Sequence, residues 1–206
     1  MGAHLQPLNA RILQAIEDHF VGGGYEFTPT ERDPKSPINP RDPNHDGIRH
    51  DLHHAGEVIA RGSGGPTYCC GVSFEVVFRA WQAHAAQTAT ESAIGSMDAD
   101  GVRQLVADWF CPVMGHPGAA SALVEHGLGI PVAPDEAVAG DLCQFWRRTD
   151  LANPSGHSVV FLRWSTDDDG QRRIHYWSSQ RSTDGVGAHS EVVGPGWTMH
   201  FARAVV

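Results

Sequence analysis

From Cys69 to Ala86 the chain is apolar nearly all round a helical projection. Val72, Phe74, Val76, Val77, Phe78 and Trp81 fall on more than one face, and a helix of that kind has to be buried. It therefore needs a partner layer, which the sequence supplies after Gly140. There the pattern changes to short runs rich in β-branched and aromatic residues: Leu142–Trp146, Ser158–Trp164, Arg172–Ser178 and Thr198–Val205, divided by turn residues. Asp167-Asp168-Asp169-Gly170 reads as the tip of a hairpin joining the second and third runs. With helices first and an antiparallel meander last, the expected fold is α+β, its N-terminal helices including one buried against a face of the C-terminal antiparallel sheet.

Other stretches fill in the outline. Met1 to Phe20 reads as an amphipathic helix, with Leu5, Leu8, Ile12, Leu13 and Ile16 on one side, rather than a signal peptide. The Gly22-Gly23-Gly24 run ends it. Thr28 to Gly47, with prolines at 29, 34, 37, 40 and 43, reads as a long loop. Asp51–Arg61 reads as a short helix, and Asp98–Trp109 and Pro117–His126 as two more. A chain of 206 residues suits one domain, 1–206, with the Pro/Asp-rich 28–47 loop inserted near or over a cleft.

Composition narrows the function. Asp and Glu outnumber Lys and Arg by 24 to 15, a formal charge of -9, which argues against a surface that tracks phosphates and so against nucleic acid. No run approaches the roughly 18 apolar residues of a membrane span. The four cysteines, 69, 70, 111 and 143, form neither a disulfide framework nor a CxxC knuckle. Adjacent Cys69 and Cys70 are poorly placed to bond each other, because the eight-membered ring is strained.

The two adjacent cysteines carry the chemistry. Ser63-Gly64-Gly65-Pro66 breaks the chain just before them, so they open the buried helix. A thiol attacks as thiolate, and its free pKa of about 8.5 drops at a helix N-terminus and beside a histidine. The same terminus offers backbone N–H groups to an oxyanion. The matching histidine is His157, at the mouth of a strand in Gly156-His157-Ser158-Val159-Val160-Phe161-Leu162. It follows a second turn into a strand at Gly140-Asp141-Leu142.

In their order and spacing, Tyr68-Cys69-Cys70-Gly71, Gly140-Asp141-Leu142-Cys143-Gln144-Phe145-Trp146 and Gly156-His157-Ser158-Val159-Val160 resemble the signatures of the NlpC/P60 branch of papain-like cysteine peptidases and amidases. The likeness spans about Gly64 to Gln180. It implies a papain-like architecture and hydrolysis of peptide or amide bonds, as in peptidoglycan peptides, with no cofactor required. It also implies a setting in the bacterial cell envelope or outside the cell. Two positions depart from the pattern: Tyr68 stands where the family has Asp, and Cys70 where it has Ser. The motif's glycine selects Cys69 as nucleophile. Helix periodicity favours Cys70 instead, with Phe74, Val77, Phe78 and Trp81 below it. The two positions lie about 100° apart round the axis, so only one can face His157.

A third residue should orient the imidazole. With 167–170 as the hairpin loop, Thr166 pairs with Gln171 and His157 falls opposite Gln180. A slipped register would bring Ser178 or Ser179 instead. His175 is chemically attractive but pairs near Leu162, roughly 16 Å along the strand. The expected triad is therefore Cys69 (or Cys70), His157 and Gln180. Tyr68 and Trp177 are the expected substrate contacts, with the other tryptophans of the strands packing the sheet.

Two metal motifs compete. Asp42-Pro43-Asn44-His45-Asp46-Gly47 matches the first half of a calcium loop, and Asp51 could stand in for its missing distal carboxylate. His50 and His54 have helical zinc spacing but lack a third ligand, so His50, His53 and His54 are read as surface residues. A catalytically silent binding module on the same fold, stabilised by calcium, is the alternative function.

Overall fold

In a computed structural model the chain is described over residues 8–27, 42, 44–88, 94, 97–110, 115–147 and 155–206. Its elements run α1 (Asn9–Glu17), β1 (Gly22–Gly23), β2 (Leu52–His54), β3 (Glu57–Ala60), α2 (Cys69–Thr88), α3 (Ala99–Trp109), α4 (Ala119–Glu125), β4 (Gly129–Val132), β5 (Leu142–Trp146), β6 (Gly156–Thr166), β7 (Arg172–Gln180), β8 (Gly185–Val192) and β9 (Thr198–Ala204). The fold is α+β. A seven-stranded antiparallel sheet has the order β1-β8-β7-β6-β5-β9-β4, and β2 and β3 form a separate hairpin. No helix among the described residues is long and apolar enough to cross a membrane. Most of the 28–47 insertion lies outside the described residues.

Strand alternation separates two cores. Leu142, Val160, Trp177 and Ala202 face α2, where they join Val72, Val76, Val77, Phe78 and Trp81. Cys143, Phe145, Val159, Phe161, Ile174, Tyr176 and Phe201 form a second cluster. The buried helix is as the apolar pattern requires, with every residue from Gly71 to Phe78 buried.

Asp141 ties the layers together. Its carboxylate accepts from Arg203 Nε (2.8 Å) and Nη2 (2.9 Å) on β9, from Asn9 Nδ2 (2.8 Å) on α1 and from Val138 N (2.9 Å). Gly140 has φ +91°, and a Cβ there would lie 2.9 Å from Asn9. The Gly-Asp turn is thus a structural joint that fixes where β5 starts.

Three expectations are corrected. Asp51–Arg61 is not helical: β2 and β3 turn at Ala55 (φ 51°) and Gly56 (φ 82°). Two successive positive φ values make a tight hairpin turn that no helix accommodates. The sheet also gains β1, β4 and β8, which the sequence pattern hides. β4 contains Pro131 and sits at the sheet edge, where a missing N–H is tolerated; β8 mixes glycine, alanine and polar residues. Finally, the hairpin tip pairs Thr166 with Arg172 rather than Gln171. An irregularity between Phe161 and Arg163 takes up one residue, and beyond it Phe161 pairs with Tyr176 and Val160 with Trp177. The two displacements cancel, so continuation of the ladder returns His157 to Gln180.

Candidate active site

Gly71 explains how the two thiols are held. A Cβ at that position would come 2.2 Å from Asp46 O and 2.4 Å from Gly47 C, so the backbone of residues 46–47 lies directly on the first turn of α2. Tyr68 N donates to Gly47 O (3.0 Å), and Tyr68 O accepts from Val72 N (3.2 Å), which starts the helix. Side chains then clip the helix to the sheet. Thr67 Oγ1 and Ser179 Oγ are 2.8 Å apart, and Ser158 Oγ meets Ser73 Oγ at 2.9 Å. Trp109 Nε1 donates to Ser73 Oγ at 3.0 Å, and Ser73 Oγ donates to Cys70 O at 3.0 Å.

These clips set Cys69 against the open end of β6. Its sulfur lies 3.9 Å from that of Cys70, with the His157 ring and the Ser158 backbone beside it as further polar influences. Together with the positive charge of a protonated His157, these influences hold the Cys69 thiol well below its ordinary pKa, the Cys70 contact contributing most; burial opposes them. The helix terminus favours the same anion.

His157 is 6% exposed, its ring set edge-on to Phe145 and Tyr176 with centroids 5.5 and 5.4 Å away. Its Nε2 lies 3.3 Å from Gln180 Oε1. Gln180 spends both amide hydrogens elsewhere, on Thr183 Oγ1 (2.6 Å) and Gly187 O (3.2 Å). Its oxygen is therefore the atom that faces the imidazole, and it can only accept. Nε2 accordingly carries the ring proton, leaving Nδ1 for the Cys69 sulfur.

Three residues absent from the sequence argument stand round this pair. Tyr25 is delivered by the glycine run: Gly22 and Gly23 pair with Val186 and Gly185, and Gly24 N donates to Asp184 O at 2.8 Å. Positive φ at all three glycines (75°, 91° and 87°) makes that path accessible. Burial raises the Tyr25 phenol, and the negative charges of Cys69 and Cys70 raise it further, against the pull of Arg181 and Arg147. It remains a protonated donor in the field of the thiols. Behind the imidazole, Arg147 donates through Nε (2.7 Å) and Nη2 to Glu191, which also accepts from the Tyr176 hydroxyl. Burial raises the Glu191 carboxyl, but the Arg147 and Tyr176 bonds and the charges of Arg147 and His157 bring it down on balance. The anion lies within electrostatic reach of His157.

The remaining expected residues lie elsewhere or do other work. Cys70 is half-buried, its sulfur 3.9 Å from that of Cys69. Ser178 Oγ donates to Ser158 O at 2.7 Å, while Ser179 bonds Thr67. His175 pairs with Arg163 and bonds Ser165 Oγ at 2.7 Å, far along the hairpin. Tyr68 is not a surface for substrate: it is 2% exposed, donates to His45 O at 2.9 Å and packs on Phe27 and Phe110. Trp177 is not a cleft wall either. It is 4% exposed on the α2 side, with His19 edge-on at 5.2 Å.

The calcium candidates serve the local backbone. Asp42 accepts from Asn44 N (2.8 Å), Asp46 from Arg61 N (2.7 Å) and Asp51 from Gly62 N (2.7 Å), so their oxygens are not gathered on one point. His54 bonds Met97 O at 2.9 Å from strand β2, and His50 and His53 are exposed. Among the described residues no group of three or more His, Cys, Asp or Glu side chains is placed to hold a metal.

A lowered thiol, a histidine with a fixed tautomer and a protonated phenol form an arrangement suited to nucleophilic attack on a carbonyl. Comparison with known proteins adds no family to this geometry: no family model, no curated protein and no solved structure matches the chain.

Proposed function

We propose that the protein is a papain-like cysteine hydrolase of peptide or amide bonds, with Cys69 as nucleophile. The observation that carries this reading is the placement of Cys69 at the N-terminus of the buried helix beside His157, whose Nε2 lies 3.3 Å from Gln180 Oε1. His157 Nδ1 takes the thiol proton, and the thiolate attacks the scissile carbonyl. The developing oxyanion is met by the Tyr25 hydroxyl and the first-turn N–H groups of α2. The imidazolium then protonates the leaving amine, a thioester remains on Cys69, and water activated by His157 releases the acid. Gln180 keeps the ring in one tautomer. The three motifs and their resemblance to NlpC/P60 enzymes support peptidoglycan peptides as the substrate class.

The test is release of amine from a panel of peptidoglycan-derived and ordinary peptides. Cys69→Ala should abolish turnover while leaving the circular dichroism spectrum intact, and Cys70→Ser should retain it. Equal turnover in Cys69→Ala and the native protein would refute the assignment.

A further inference from the structure

Cys70 replaces a hydroxyl-bearing residue of the resembled pattern with a second thiol, beside a sulfur already disposed to be an anion. Both thiols are half-buried and neither is in a disulfide, and their sulfurs are 3.9 Å apart. Cys143, by contrast, is fully buried in the second core. Among the described residues Cys70 is therefore the thiol within reach of Cys69.

We propose that Cys69 and Cys70 form a peroxide-oxidation site, at which a hydroperoxide converts the pair reversibly into a vicinal disulfide. The Cys69 thiolate attacks the outer peroxide oxygen; the O–O bond breaks and hydroxide leaves, giving a sulfenic acid. The Cys70 sulfur, giving up its proton, then attacks the Cys69 sulfur, and the S–O bond breaks with loss of hydroxide. Counting the proton that Cys69 gave to His157, two thiols and one hydrogen peroxide yield one disulfide and two waters.

The geometry also gives the product its character. Closing an eight-membered ring at the start of α2 requires that first turn to open, and a first turn is where intrahelical bonds are fewest. A disulfide strained in this way is readily reduced by thiols. It would act as a removable cap that keeps Cys69 from the irreversible sulfinic and sulfonic acids. The inference rests on the proposed function only through the nucleophilicity of Cys69.

The experiment treats the reduced full chain with hydrogen peroxide, blocks remaining thiols with N-ethylmaleimide and digests with trypsin. Arg61 and Arg79 bound a peptide, 62–79, that contains both thiols and no other cysteine. The expected peptide is two hydrogens lighter, unlabelled, and restored by dithiothreitol. In Cys70→Ser, and in Cys70→Ala as a second variant against a folding defect, the oxidised Cys69 should instead be oxyacids that dithiothreitol does not reverse. These should be roughly tenfold more than in native protein at equal extent of Cys69 oxidation, a normalisation that removes the slower first step left by loss of the Cys70 contact. Equal oxyacid yields, so normalised, in native protein and both variants would overturn the proposal, as would a disulfide from Cys69 to Cys111 or Cys143. Because the readout is mass, a chain that forms the disulfide yet hydrolyses no amide would refute the proposed function alone. One that hydrolyses amides but forms no disulfide would refute this inference alone.

Discussion

Gln180 acts through its amide hydrogens as much as through its oxygen. Thr183 and Gly187 hold the NH₂ group, so the carbonyl has no choice but to face His157. Removing it in Gln180→Ala lets the imidazole swing. Turnover should fall by about 100-fold, the cost of a misplacement of roughly an ångström, whereas Gln180→Glu keeps an acceptor there and should recover part of the loss. Tyr25 gives a sharper separation. Tyr25→Phe should lower amide turnover by about 100-fold to 1,000-fold, as loss of one oxyanion donor does. It should leave alkylation of Cys69 by iodoacetamide nearly unchanged, because that displacement forms no oxyanion. Equal losses in both assays would remove Tyr25 from the oxyanion role. Cys69 and His157 are legible in the sequence because each sits at a turn into a regular element. Tyr25, Arg147 and Glu191 are not, since only long-range backbone pairing brings Tyr25 into the field of the thiols and the Arg147–Glu191 pair into that of the histidine. The one local signal for Tyr25 was a glycine run with more conformational freedom than a helix stop needs.

At the scale of elements, the first turn of α2 depends on what lies against it. Gly71→Ala drives a methyl group into the backbone of residues 46–47, which cannot rotate away as a side chain would. It should cost about 1–3 kcal/mol or more, read as a lower midpoint in urea unfolding. Asp141→Ala leaves Arg203 and Asn9 without their shared carboxylate. Asp141 is fully buried but Arg203 is 22% exposed and keeps access to water, so the loss is about that of the carboxylate's charge-assisted hydrogen bonds, roughly 1.5–3 kcal/mol, read as an earlier urea midpoint. Both residues belong to motifs that the sequence presents as catalytic signatures, yet neither touches the reacting atoms. The glycine permits close approach of two backbones, and the aspartate joins α1, β5 and β9. Elements with a strong apolar period, such as α2 and β5 to β7, could be read directly. The β2–β3 hairpin could not, because its turn is Ala-Gly rather than Asn-Gly and its short strands lack a repeating pattern. The register of Gln180 came out right by compensation: the loop is one residue longer than its Asp-Asp-Asp-Gly tip suggests, and the irregularity at Leu162 absorbs the difference.

For the molecule as a whole, the site lies where the buried helix meets the centre of the sheet, not on a loop at its rim. β6 and β7 have neighbours on both sides, while β1 and β4 are the edges. Hydrogen exchange should therefore protect β5, β6, β7 and α2 longest, with β1, β4 and the detached β2–β3 hairpin opening first. Fast exchange in β6 would mean that the His157 support is not rigid. On this framework Cys69 stays a thiolate below the ordinary thiol range. A thiol with a lowered pKa is ionised at every pH above that lower value, so its reactivity persists as pH falls through the usual range and disappears only beneath it. The direct measurement is the rate of iodoacetamide alkylation of each cysteine between pH 5 and 9, resolved by fragmentation of the 62–79 peptide. Native protein should alkylate Cys69 far faster than Cys70 at pH 6, and in His157→Ala the Cys69 profile should move up towards that of a simple thiol. A native Cys69 that reacts only as pH approaches about 8.5, unaffected by loss of His157, would rule out a thiolate held by this framework.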